Sequence, residues 1–283
     1  MSDQPETLCK TVLAGTIAKG LLAEVKQGLN ELGARPPHLY GILANDDHAA
    51  KVYADWTAKT CKDNGFEYTL RTVAKDDVEE AIMAANQDDS VDGIIVYYPI
   101  FNNRQDQYLQ QIVSVHKDVE GLSHQYIFNM YQNIRFLDDV DVDILEYLHI
   151  YNTILPYGNR LFGRTICVVN RSEVVGRPLA ALLANDGATV YSVDVTGIQV
   201  FTRGAGIRKR KHEVVDRPGL TLDQCVPLCD VVVTGNFGPD VKERASIYVP
   251  AIGKVTIVIL LRNLLRIVQN NRSQKAALSS ARS

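Results

Sequence analysis

Short apolar, β-branched runs alternate with amphipathic helical stretches in this chain, and that alternation permits few folds. Residues 16–33 carry a helical apolar period closed by Gly33, and His38 to Ala44 reads as a buried strand. Asp46 is placed to cap a helix over 48–63, which Gly65 ends. Phe66 to Val73 reads as a strand, 76–86 as a helix, and Gly93 to Tyr98 as a short apolar strand stopped by Pro99. Strands that alternate with helices pair in parallel through right-handed crossovers. A helix over 142–153 leads to a turn at Pro156, Tyr157 and Gly158, the expected domain boundary. A second unit follows, with a strand over 165–169, a helix over 174–185 stopped by Gly187, and strands over 188–193 and 230–234. The expected class is therefore α/β with two domains. Residues 1–153 form the first, around a parallel sheet, and residues 154–253 form a Rossmann-like second. The tail from Val255 to Val268 alternates apolar and basic residues at helical spacing, so a helix over 254–270 is expected to pack back on the first domain.

The 283 residues are enough for two ordinary cores. At 46% hydrophobic and 22% charged, the composition is that of a soluble globular protein. The formal net charge of -3 gives no global attraction to nucleic acid or a membrane surface. The first residues, Met1 to Glu6, lack the parts of a secretory signal, and their acids argue against a transit peptide. Val255 to Leu261 is too short an apolar run to span a bilayer. Five cysteines, at 9, 61, 167, 225 and 229, form no CxxC pair, which points to reduced thiols in the cytoplasm. Cys225 and Cys229 share a helical spacing, but no other ligands stand near them, so no metal is expected. The basic run Arg208 to His212 has no interleaved aromatic residues and reads as a solvated loop.

The segment from Thr165 to Pro178 carries the first chemical signal. Thr165 to Val169 is a strand, Asn170 to Val175 a polar turn, and Gly176 opens a helix with Pro178 in its first turn. A helix N-terminus presents unpaired N–H donors and positive potential, which suits a diphosphate. Gly176 lets a ligand or a backbone come close. The next strand ends at Asp194, roughly the 20 residues on at which a dinucleotide fold places its ribose-binding acid. A carboxylate there accepts from ribose hydroxyls and repels a 2′-phosphate, which favours NAD over NADP. A plain acid at a strand end is the other reading of Asp194.

Several ordered motifs resemble the methylenetetrahydrofolate dehydrogenase/cyclohydrolase family. They are Arg171-Ser172-x-x-Val175-Gly176-x-Pro178 with Leu182-Leu183 and Ala188-Thr189-Val190, and Asp92-Gly93-Ile94-Ile95-Val96-x-x-Pro99, similar to DGILVQLP. Lys117-Asp118-Val119-Glu120-Gly121 is similar to KDVDG, and Pro250 to Thr256 to a worn PGGVGPMT loop. The resemblance covers nearly the whole chain. It implies a folate-binding first domain, an NAD-binding second domain, a cytoplasmic homodimer with no nucleic-acid or membrane partner, and a place in one-carbon metabolism that serves purine biosynthesis.

The departures from the family pattern carry the finer expectations. Bifunctional members have Tyr-x-x-x-Lys on the second helix; this chain has Tyr53-x-x-x-Thr57. Residues four apart share a face, ~40° beyond a full turn, whereas Lys59 stands ~240° around from Tyr53. Threonine has no ammonium with which to relay a proton. Tyr97 stands where the family has Gln, and Glu120 where it has Asp. The resemblance thus implies a dehydrogenase without cyclohydrolase activity, similar to the NAD-dependent fungal branch. Tyr53 would orient the folate, with Thr57, Tyr97 and Glu120 lining its site and Glu120 accepting from the pterin edge. Asn170, Arg171, Ser172, Val175, Gly176 and Asp194 would hold the NAD. Taken without the family, Tyr53 reads equally as a half-buried aromatic on a helix face, and Glu120 as a loop acid.

Two stretches are shorter than the family's. Leu137 to Asp143 runs directly into Ile144, without the usual Pro-Cys-Thr-Pro segment, and Gly235 to Pro239 passes almost at once to Asp240. The second shortening is expected to remove a strand and leave a sheet edge exposed or re-paired. It also frames an alternative: a catalytically impaired relative, or a chain missing coding pieces, that binds NAD without turnover and acts as a binding or regulatory protein. A dehydrogenase of an unrelated small molecule is a third class.

Overall fold

Helix-flanked strands fill a computed structural model that describes residues 10–33, 35–132, 159–173, 175–203, 212–234, 247–248 and 253–280. The chain divides into two compact units, Thr11–His124 with Val249–Ser283, and Met1–Lys10 with Gln125–Tyr248. The helix expected over 142–153, the turn at 156–158 and the boundary at 153 lie outside the described residues, as do both shortened stretches, 137–144 and 235–240.

The first unit begins after a two-residue strand β1 (Lys10–Thr11) with helix α1 (Ala14–Leu32). Strand β2 (His38–Leu43) leads to α2 (His48–Asp63), β3 (Glu67–Thr72), a 3-10 turn and α3 (Val78–Gln87), β4 (Gly93–Val96) and α4 (Arg104–Ile112); the next helix, α5 (His124–Tyr131), falls from Gln125 onward in the second unit. The sheet order is β3-β2-β4, with both pairings parallel, as helix crossovers require. The cap of α2 is Asp47, whose carboxylate accepts the Ala49 N–H at 3.1 Å; Asp46, expected in that role, pairs with Lys51 instead. Helix α4 escaped the sequence reading, although Asn103 caps it by accepting the Gln105 N–H at 2.7 Å. Ile42, Ile82, Ile94 and Val96 anchor the core between this sheet and α3.

The second unit is built on β5 (Thr165–Val169), α6 (Gly176–Asn185), β6 (Thr189–Asp194), β7 (Gly197–Arg203), β8 (His212–Asp216), a short α7 (Leu222–Cys225), β9 (Val231–Thr234) and β10 (Ile247–Tyr248). Its five-stranded sheet runs β8-β7-β6-β5-β9. β5 pairs in parallel with β6 and β9, while β6-β7-β8 form an antiparallel meander. The meander was missed, yet β7 alternates as a half-buried strand should, with Ile198 and Val200 buried and Gln199 less so. β9 is the last strand at its end of the described sheet, and all four of its residues are half-buried. Of the basic run, 208–211 lies outside the described residues and His212 opens β8.

The C-terminal helix α8 (Gly253–Ser280) belongs to the first unit and packs along α1. Val255, Val258, Leu261, Leu264, Leu265 and Val268 are all buried, and so are Ile17, Leu21 and Val25 of α1. Spacings of three and four keep these side chains on one stripe. Leu261 is 0% exposed. Leu261→Ala should therefore lower the unfolding free energy by about 2–5 kcal/mol in a urea titration. A loss under about 1 kcal/mol would contradict the burial of this stripe.

Candidate active site

In the first unit the chemistry gathers along the middle of α2, at the end of β4 and on the loop after residue 117. Tyr53 and Thr57 are one turn apart on α2. Thr57 is 0% exposed, and its hydroxyl donates to the Tyr53 carbonyl at 2.8 Å. That bond uses the threonine's single proton inside its own helix. Tyr97, which follows β4 and is 4% exposed, sets its ring edge-on to Tyr53 with centroids 6.0 Å apart. Its hydroxyl lies 2.8 Å from that of Tyr68 and also interacts with Thr57. The Tyr68 phenol reaches Tyr97 across Gly41 of β2. A Cβ there would come within 2.5 Å of the Tyr68 hydroxyl, so the missing side chain is what opens the path.

Burial lifts the Tyr53, Tyr97 and Tyr98 phenols above the usual range, and the nearby Glu120 charge adds to each shift. All three stay neutral at physiological pH and serve as hydrogen-bonding groups rather than bases. Lys59 has 79% of its side chain exposed and lies 3.8 Å from Asp63, on the outside of α2, as the helical spacing requires.

Glu120 is placed by its neighbours. The Ile94 N–H donates to the Lys117 carbonyl at 2.7 Å, which lays the 117–118 backbone alongside β4. Lys117 closes the end of α3, donating to the Ala85 and Asp88 carbonyls at 2.9 and 2.7 Å. The buried Asp118 carboxylate then accepts the N–H groups of Gly121, Leu122 and Ser123 at 2.9, 3.4 and 2.8 Å, and so turns the loop. Glu120 stands out from that turn. It reaches solvent, yet surrounding protein strips enough hydration to push its carboxyl up to about 8. The Asp118 carboxylate adds to the shift, and a backbone hydrogen bond from Val96 opposes it. The loop after β4 is fixed just as firmly. Asn45 donates to the Tyr97 and Pro99 carbonyls, both at 2.9 Å, and Asp106 accepts the N–H groups of Ile100, Phe101 and Asn102.

In the second unit the turn after β5 is self-satisfied. Asn170, with φ 94°, accepts the Ser172 N–H at 2.7 Å through its side chain. The Ser172 hydroxyl accepts the N–H groups of Val175 and Gly176, both at 3.3 Å, and the Ser172 carbonyl takes that of Arg177 at 3.0 Å. The helix-mouth donors left open in the sequence reading, those of Val175 and Gly176, are thus capped by Ser172. Gly176 is there for the backbone: a Cβ would fall 1.7 Å from the Asn170 carbonyl oxygen. Val175 is exposed beside the helix start. Asp194 ends β6 and accepts the Val195 N–H at 2.6 Å through one oxygen. Arg171 bonds to Ser192 and Gly197 of the β6–β7 hairpin.

The structure therefore groups Tyr53, Thr57, Tyr97 and Glu120 within one unit, and Asn170, Arg171, Ser172, Val175, Gly176 and Asp194 at the strand ends of the other. Tyr68, Gly41, Tyr98 and Asp118 were missed as members of the first group. Asp118 was legible beside Glu120. Tyr68 was not, because its strand position says nothing of a reach across the neighbouring strand.

The sequence model described as "Tetrahydrofolate dehydrogenase/cyclohydrolase, catalytic domain" matches residues 12–120. A protein named methylenetetrahydrofolate dehydrogenase [NAD(+)] from Schizosaccharomyces pombe is 51% identical, over 94% of this chain and 95% of its own length. One of the same name from Saccharomyces cerevisiae is 49% identical over 92% and 96%. The alignment with the first runs to 305 positions, more than the 283 residues of this chain, so that relative has residues without a counterpart here. The solved NAD-dependent 5,10-methylenetetrahydrofolate dehydrogenase of Saccharomyces cerevisiae superposes with a TM-score of 0.87 at 47% identity, covering 94% of this chain and 99% of that one. On the strength of these matches, the chain belongs to the tetrahydrofolate dehydrogenase/cyclohydrolase family.

Proposed function

We propose that the protein oxidises 5,10-methylenetetrahydrofolate to the 5,10-methenyl form with NAD, and that it does not hydrolyse the product. The observation that carries this reading is the grouping of Tyr53 and Tyr97 with Glu120, next to a buried Thr57 whose hydroxyl donates to the Tyr53 carbonyl. Identities of 51% and 49% to proteins named as NAD-dependent dehydrogenases of this substrate support it and weigh against a binding protein without turnover.

The residues present fit NAD. In the β5–α6 turn the N–H groups of Val175 and Gly176 are held by the Ser172 hydroxyl in long bonds, and the second Asp194 oxygen is left for a ribose hydroxyl. NAD, when bound, supplies the acceptor for a hydride from the one-carbon bridge, and the folate nitrogens carry the resulting positive charge. The chain's own residues therefore need no strong base. Ionised Glu120 accepts two parallel bonds from the amino and ring N–H groups of the pterin and fixes its rotation. Tyr53 offers an aromatic face and a neutral hydroxyl to the folate, and the Tyr68–Tyr97 pair stiffens the wall behind it. The protein's contribution is orientation of flat rings. Thr57 donates into its own helix, so no group at that position relays a proton for hydrolysis.

We further propose a homodimer in the cytoplasm that supplies one-carbon units for purine biosynthesis. The free thiols of Cys61, Cys167, Cys225 and Cys229 are in keeping with a reducing compartment.

Glu120 gives the reading a pH signature. Its carboxyl is protonated below about 8, and the folate needs the anion. KM for methylenetetrahydrofolate should fall up to about tenfold per pH unit as pH rises toward that value, then level off. Glu120→Gln should raise KM at least about tenfold and flatten its pH profile. A wild-type KM constant from pH 6 to 9 would refute the role. An absorbance assay for methenyltetrahydrofolate, run with NAD and NADP side by side, should show product chiefly with NAD. Added methenyltetrahydrofolate should decay no faster than in buffer; protein-accelerated decay would refute the loss of hydrolysis.

A further inference from the structure

Arg171 stands at the adenosine end of the proposed NAD site, two residues past the end of β5 in the turn that follows it, and beside the strand that ends in Asp194. The juxtaposition is ambiguous on chemical grounds. In dinucleotide folds an acid at that strand end takes the 2′-hydroxyl, whereas an arginine close by accommodates a 2′-phosphate. This chain has both.

The hydrogen bonds of Arg171 resolve the conflict. Its Nε donates to the Ser192 hydroxyl at 3.2 Å, and its Nη2 donates to the carbonyls of Ser192 and Gly197, both at 2.7 Å. A guanidinium grips phosphate bidentately through one of two forks, Nε with Nη2 or Nη1 with Nη2. Both Nη2 hydrogens and the Nε hydrogen are engaged, so neither fork is open and only Nη1 keeps donors. The acceptors are informative too. Gly197 is the hairpin partner of Asp194, and buried Ser192 lies two residues before it on the same strand. Arg171 thus ties the turn after β5 to both strands that flank the acid.

We propose that Arg171 is a positioning residue for coenzyme selectivity: it clamps the hairpin that presents Asp194 and offers no bidentate seat to a phosphate on the adenosine ribose. The proposal rests on the NAD reading above and deepens it. Removing Arg171 loosens the acid that binds the ribose hydroxyls, so it weakens NAD without weakening NADP.

The test is kcat and KM for NAD and NADP, with coenzyme binding measured by titration calorimetry in the absence of folate, on wild type and on Arg171→Ala, Arg171→Lys and Ser192→Ala. Arg171→Ala should raise the NAD KM about tenfold with kcat within about twofold, and leave NADP no worse, so that the preference for NAD narrows about tenfold. Arg171→Lys should behave in the same way, since one ammonium does not span three acceptors. Ser192→Ala, which removes a single bond, should narrow the preference about twofold and keeps the test open if the Arg171 variants do not fold. The proposal is overturned if Arg171→Ala weakens NADP more than NAD, if it weakens both equally, or if lysine restores wild-type values. A wild type that binds neither coenzyme overturns the NAD reading itself, and this proposal with it. NAD turnover with an unchanged preference in every variant overturns the proposal alone.

Discussion

A buried carboxylate that collects three backbone amides sets the geometry of the proposed folate site. Asp118 turns the loop onto Gly121, Leu122 and Ser123, and that turn aims Glu120 outward from the end of β4. The same carboxylate raises the affinity of Glu120 for a proton. Asp118 thus fixes the position of the proposed ligand acid and adds to a shift whose larger cause is desolvation by the surrounding protein. Asn45 and Asp106 do for the Tyr97–Asn102 segment what Asp118 does for its own loop, holding backbone groups so that side chains need not be held. Against this rigid frame, the hydroxyls of Tyr68, Tyr97 and Thr57 form a neutral group.

The second unit follows a similar logic with different means. Ser172 satisfies the first N–H groups of α6, and Gly176 packs against the Asn170 carbonyl at a distance no side chain tolerates. Arg171, counted by the family resemblance among the residues that would hold the NAD, directs its donors to Ser192 and Gly197. Preorganised turns of this kind favour binding because the backbone is already ordered before the ligand arrives.

What the sequence shows and what it hides divide along physical lines. The parallel strands β2, β4 and β5 are legible, because each is largely buried and reads as an apolar run, whereas the largely exposed β3 is legible from the Gly65 stop before it. The meander of β7 and β8 is not, since β8 is largely exposed and lacks the apolar face that marks a strand. Spacing alone correctly keeps Lys59 away from Tyr53. Spacing misleads at the cap of α2, where adjacent Asp46 and Asp47 are equivalent until the backbone chooses between them. The grouping of Tyr53, Thr57, Tyr97 and Glu120 comes from family resemblance; nothing in their separate stretches requires that they meet. Tyr68 is reached by neither route, because its contact runs across a strand through the space over Gly41.

The central claim is that Glu120 must ionise to hold the pterin. Proton release on binding measures this directly. Calorimetric titration of a folate ligand at pH 7, in buffers of different ionisation enthalpy, should show about one proton released per site and none for Glu120→Gln. Proton release that is absent from the wild type, or that persists unchanged in the variant, would contradict it.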